Sequence, residues 1–124
     1  MLSRRDYPFL PKPKGPMTHA VIHEKSLYIS GLTAMGTDAQ AEDLTEQIRE
    51  ILSQLKKVLD YEGLTKSDLI KLTIFIKEID KLGIIREELF SFYDSHYPAC
   101  SLVEVSNLVH ADLKIEIEAV AAIA

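Results

Sequence analysis

Two short stretches hold side chains with chemical potential. Pro98–Val105 reads PACSLVEV and contains the single cysteine, Cys100; Lys114–Ala121 reads KIEIEAVA and contains Glu116 and Glu118. A cysteine acts as a nucleophile only when a nearby base or cation lowers its pKa. The alternative is a small, buried, apolar residue, the commoner fate of a free cysteine. Two glutamates two positions apart on a strand share one face. There they make either an exposed sheet face or a face that meets another subunit, with a carboxylate placed at a site between them. His23, His96 and His110 read as surface residues, and four histidines with one cysteine give no zinc-ligand spacing. No metal is expected.

These residues must be positioned by regular elements. Residues 1–16 carry Pro8, Pro11, Pro13 and Pro16, so an extended, irregular arm is expected, with Tyr7, Phe9 and Leu10 packed on the body. Residues 19–31 read as a hairpin turning at 24–26 and ending at Gly31. Asp43 is an N-cap with Glu46 at the capping-box position. Leu44, Ile48, Ile51, Leu52, Leu55, Val58 and Leu59 then mark one amphipathic helix over 44–61, closed by Gly63. Residues 68–79 alternate as a strand, with Leu72, Ile74 and Ile76 on one face. A second helix over 82–97 presents Ile85, Leu89, Phe92 and Tyr93, and Pro98 stops it. Residues 99–108 and 113–124 are the last two strands, and the short 109–112 segment between them permits a hairpin. The order ββαβαββ predicts an α+β sandwich, two helices on one face of a mixed sheet. In the last strand Leu113, Ile115, Ile117 and Ala119 share the covered face. Lys114, Glu116, Glu118 and Val120 share the other, which faces either solvent or another subunit.

Composition bounds the rest. The chain of 124 residues is one domain's worth, and 47% hydrophobic residues suffice for a core. A net charge of -5 with no basic-aromatic stripe argues against nucleic-acid binding. One cysteine allows no internal disulfide and fits a reducing compartment. No apolar run approaches the roughly 18 residues of a membrane span, and no signal-like start is present. A cytoplasmic protein without membrane contact is expected.

The block PACSLVEVSNLVHADLKIEIEAVAAIA resembles the pattern P-A-R-S-x-V-E-V…E-I-E-A-(I/V)-A of the Rid proteins, the YjgF-like reactive-intermediate deaminases. SLYISG, REILSQLKKVLDYEG and DLIKLTIFIKEID are similar to that family's strand, helix and strand. The resemblance covers roughly residues 15–124. It implies a chorismate-mutase-like fold and a homotrimer whose sheets form a central barrel, with small-molecule clefts between subunits. It also implies cofactor-free hydrolysis of enamines and imines released by pyridoxal-phosphate enzymes. By position, Glu116 corresponds to the family's proton-shuttling glutamate. Ser30 and Gly31 correspond to its cleft-lining pair, and Ser101 and Leu102 to its substrate-binding strand. Cys100 stands where the family has the arginine that grips a substrate carboxylate. Met17 stands in place of a tyrosine, and Val109 in place of a usual proline. His19 aligns near the cleft where the family often has glutamine, which makes it either the candidate base for Cys100 or an ordinary strand residue. Arg86, where relatives often have asparagine, is either a replacement cation or a solvated helix charge.

Three functions follow as expectations. The first is imine or enamine deamination with altered substrate preference. The second is a non-catalytic trimeric module binding a small metabolite. The third, weakened by the acidic charge, is ribonuclease action or translation inhibition.

Overall fold

The computed structural model describes residues 2–124. Six strands form one mixed sheet: β1 Leu2–Arg5, β2 Ala20–His23, β3 Ser26–Leu32, β4 Leu69–Ile76, β5 Ala99–Glu104 and β6 Ile115–Ala122. Helix α1 spans Leu44–Tyr61 and α2 spans Leu82–Tyr93. The strand order is β1-β2-β3-β6-β4-β5, antiparallel except for the parallel β4–β5 pair.

The apolar period of α1 lies against the sheet, with Ile48, Ile51, Leu55 and Val58 fully buried. The Asp43 carboxylate accepts the Glu46 N–H at 3.0 Å and caps the helix. Gly63, at φ 74°, takes the left-handed turn that ends it. Leu72, Ile74 and Ile76 of β4 interleave with Leu113, Ile115 and Ile117 beneath the helices, each at most 1% exposed. The alternation expected for both strands is therefore observed.

Four expectations are corrected. Residues 2–5 are not irregular but pair antiparallel with β2 as an edge strand. The prolines begin only at Pro8, so nothing before them forbids a ladder. The order is accordingly one strand longer than expected. Helix α2 ends at Tyr93, before Pro98, because Asp94 and Ser95 adopt φ 50° and 70°. Finally, β5 and β6 do not form a hairpin. β6 inserts between β3 and β4, while β5 runs parallel to β4 at the edge. Short sequence separation permits a hairpin, but the apolar face of β6 finds more buried partners in the centre of the sheet.

No helix among the described residues is long and apolar enough to cross a membrane.

Candidate functional site

Glu116 lies on the open face of β6, opposite Phe75 of β4. On its other side, β3 carries an irregularity. Ile29 pairs with Ala119 and Leu32 with Ile117, so Ser30 and Gly31 together oppose Glu118. Such a bulge bends a strand locally and re-aims its residues. On the β2 side the backbone N–H of Ser30 donates to the His19 carbonyl at 2.9 Å, and the Ser30 hydroxyl donates to the Thr18 carbonyl at 2.7 Å. Gly31 leaves the space that the Glu116 side chain fills. A β-carbon there would collide with Glu116 Oε2 and stand 2.7 Å from its Cδ. The bulge, the glycine and the glutamate thus form one device. Burial, and secondarily the charge of Glu118, raises the Glu116 pKa above the ordinary carboxylate value.

A cavity of about 450 Å³ opens beside this carboxylate. Its walls include Met17, Thr18, His19, Ser30, Gly31, Thr33, Val109 and Glu116, and Leu10–Gly15 of the arm form its rim. His19 holds that rim in place. Its Nδ1 accepts the Tyr7 N–H at 2.8 Å, and its Nε2 lies 2.9 Å from the Pro11 carbonyl. Both contacts are satisfied by the neutral tautomer protonated on Nε2. The arm is further anchored by Tyr7, which is 2% exposed, stacks on Phe9 and donates its hydroxyl to Glu62 Oε2 at 2.7 Å. The Asp6 carboxylate accepts the His19 N–H at 3.2 Å.

Of the residues proposed from sequence, the chain brings Met17, Ser30, Gly31 and Glu116 to one cavity. Arg86, Cys100, Ser101 and Leu102 are not on its walls. Arg86 is exposed on α2. Cys100 and Leu102 pair with Leu72 and Ile74, and so point to the helix side of the edge strand, while Ser101 pairs with Thr73 on the open face. Cys100 is exposed rather than a buried filler, because β5 is an edge strand and α2 stops short of covering it. Partial desolvation raises the Cys100 thiol pKa despite the opposing charge of Lys71. His19 is not its base: β3, β6 and β4 stand between β2 and β5, and both imidazole nitrogens hold the arm.

Sequence reasoning missed Gln54, Lys12 and Lys14 on the cavity wall. Gln54, 4% exposed, donates to the Thr33 carbonyl at 3.0 Å and to Glu50 Oε2 at 2.8 Å. Its signal was available. Gln47 and Gln54 fall on the same helical comb as Leu44, Ile48, Ile51, Leu55 and Val58. The lysines were hidden in an arm read as irregular.

Two helices on a mixed six-stranded sheet, with a glutamate seated on a strand-bulge glycine beside a cavity, define a recognisable class. The profile of the family described as Endoribonuclease L-PSP matches residues 10–123. A RutC family protein of Pyrococcus horikoshii is 32% identical over 114 residues, 90% of each chain. The 2-iminobutanoate/2-iminopropanoate deaminase of Salmonella typhimurium is 38% identical over 88 residues, 68% of each chain. The solved structure of YyfA, a Rid family protein of Yersinia pestis, superposes with a TM-score of 0.90 at 29% identity, covering 99% of this chain and 100% of that one. The chain belongs to this Rid (YjgF/RutC, L-PSP) family.

Proposed function

We propose that this protein hydrolyses a reactive imine or enamine metabolite, with Glu116 as the proton carrier. The observation that carries the reading is the Glu116 carboxyl seated against Gly31 on a cavity wall, with its pKa raised. Water adds to the imine carbon, forming a C–O bond. Glu116 takes a proton from that water and returns one to nitrogen. Glu116 then takes the proton of the carbinolamine hydroxyl and passes it to the amine as the C–N bond breaks, releasing ammonia and leaving a carbonyl product. Raising a carboxyl's pKa helps it hold and return the proton it has taken. No cofactor enters this scheme. The deaminase activity in the name of the Salmonella relative supports it.

A homotrimer with the active cleft completed between subunits is part of this reading. Its support is the open sheet face, where Tyr28 and Val103 remain 47% and 43% exposed. In such a cleft β5 and α2 of a neighbouring subunit would approach the cavity, with Ser101 on the open face toward Glu116 and Cys100, Leu102 and Arg86 on the helix side. Cysteine in place of arginine changes which substrates are preferred. The lone thiol suits a cytoplasmic setting.

The test is release of ammonia from a panel of imines generated in situ, with light scattering in parallel. Acceleration over buffer and a mass near three times 14.0 kDa are expected. A monomer would sink the shared cleft. Saturable metabolite binding with no acceleration of any imine would favour the non-catalytic module instead, a reading supported by the exposed position of Cys100 outside the cavity.

Gly31→Ala gives a sharper check. The added methyl must displace Glu116, so kcat for the best imine is expected to fall about tenfold or more, whereas far-ultraviolet circular dichroism stays unchanged. Parental kcat in a folded Gly31→Ala protein would mean that Glu116 does not act from this seat.

A further inference from the structure

We propose that Lys12 and Lys14, on the arm, form a cationic clamp that holds the anionic group of a ligand over this cavity.

The titratable side chains on the cavity wall are Lys12, Lys14, His19 and Glu116. His19 is committed through both ring nitrogens to the arm backbone. The two lysines are therefore the cations that face the cavity beside a carboxyl. Both are exposed, and neither forms an ion pair among the described residues. An anionic ligand approaching Glu116 meets repulsion whenever that group is ionised, and the arm supplies the compensating charge.

The arm is built to keep those charges at the rim. Pro11 and Pro13 flank Lys12 and fix their own φ, and the Pro11 carbonyl is tied to His19 at 2.9 Å. Pro11 also packs against Gly36, where a β-carbon would stand 3.3 Å from Pro11 Cβ. Backbone placement is thus fixed while the ammonium groups keep their reach. Leu32, Met17, Met35 and Val109 supply apolar wall between rim and carboxyl, which suits a short aliphatic side chain. A lysine grips an anion as a point charge and not as a planar fork, so this clamp tolerates varied carboxylate geometry and is sensitive to salt.

Use of this clamp in catalysis rests on the imine-hydrolase reading; the clamp itself does not, and the two are separable. Binding of 2-oxobutanoate and of its uncharged methyl ester is measured by nuclear magnetic resonance titration on the parent and on the double variant Lys12→Gln, Lys14→Gln. The variant is expected to bind the keto acid about tenfold more weakly and the ester within about twofold of the parent, as two partly exposed charge contacts predict. The charge-reversed pair Lys12→Glu, Lys14→Glu should weaken the acid further. Equal keto-acid affinity in parent and variants, equal losses for acid and ester, or no saturable keto-acid binding by the parent would each overturn the clamp. A parent that binds the acid through the lysines but hydrolyses no imine would instead overturn the catalytic reading alone.

Discussion

Glu116→Gln is expected to lower imine hydrolysis by about 10²- to 10⁴-fold while leaving the fold intact. Glutamine keeps the size of the side chain resting on Gly31 but carries no transferable proton. The same substitution should not destabilise the protein at neutral pH. Glu116 is desolvated and lies on the same face as Glu118, and both effects raise its folded-state pKa. The sign follows from linkage. Below the unfolded-state pKa the group is protonated in both states and costs nothing. As pH rises through that value and then through the raised folded-state value, the folded protein must hold an unfavourable charge, and stability falls. Glutamine removes that cost. The variant should therefore melt at or above the parent temperature near pH 8, with the advantage gone near pH 4. Enzyme kinetics and thermal melts on the same samples check both halves. Parental turnover would remove Glu116 from the chemistry, and a lower melting temperature near pH 8 would show that its carboxylate is stabilising.

Gln47→Leu is expected to destabilise the protein by about 3 kcal/mol. Gln47 is fully buried in the first turns of α1. Its Nε2 donates to the carbonyls of Gln40, Glu42 and Asp112 at 2.9, 3.1 and 2.9 Å, three acceptors sharing two hydrogens. Its Oε1 accepts the Lys114 N–H at 2.9 Å. One amide thus ties the loop before α1 to the start of β6, two residues ahead of Glu116. Leucine fills the volume but leaves these backbone groups unpaired. Urea unfolding at fixed protein concentration should show a lower midpoint with an unchanged slope. Gln47→Glu should be worse than leucine at pH 8, because a carboxylate would face three carbonyl oxygens. A loss below about 1 kcal/mol for leucine would mean that water or a small shift satisfies the freed groups.

Local periodicity made most of the elements legible. The two-residue alternation of β4 and β6 and the helical comb of α1 each report burial on one face, which a linear pattern records directly. What escaped was non-local or conformational. The 109–112 segment is short enough for a hairpin, and nothing in it reveals that β6 prefers β3 and β4 as neighbours. The end of α2 depends on Asp94 and Ser95 taking left-handed geometry, which neither residue type demands. β1 exists through its ladder to β2, since Leu-Ser-Arg-Arg has no strong strand preference of its own. In the site, the resemblance pointed to Glu116, Ser30, Gly31 and Met17, and the fold gathers them. The contribution of the proline-rich arm was not legible, because it depends on His19 recruiting Pro11 across the cavity.

The position of β6 has a kinetic consequence. It is the latest strand in the sequence, yet it stands between β3 and β4 and is hydrogen-bonded to both. Until it arrives, the chain holds two half-sheets, β1-β2-β3 and β4-β5, each with an unsatisfied edge. Their union requires pairings as distant as Ser26 with Ala122, which makes closure the slow, high-contact-order event. Gly31 belongs to the first half-sheet and Glu116 to the closing strand. The seat of Glu116 on Gly31 therefore forms only with the closing strand, and edges left open before closure are where mispairing between chains would begin.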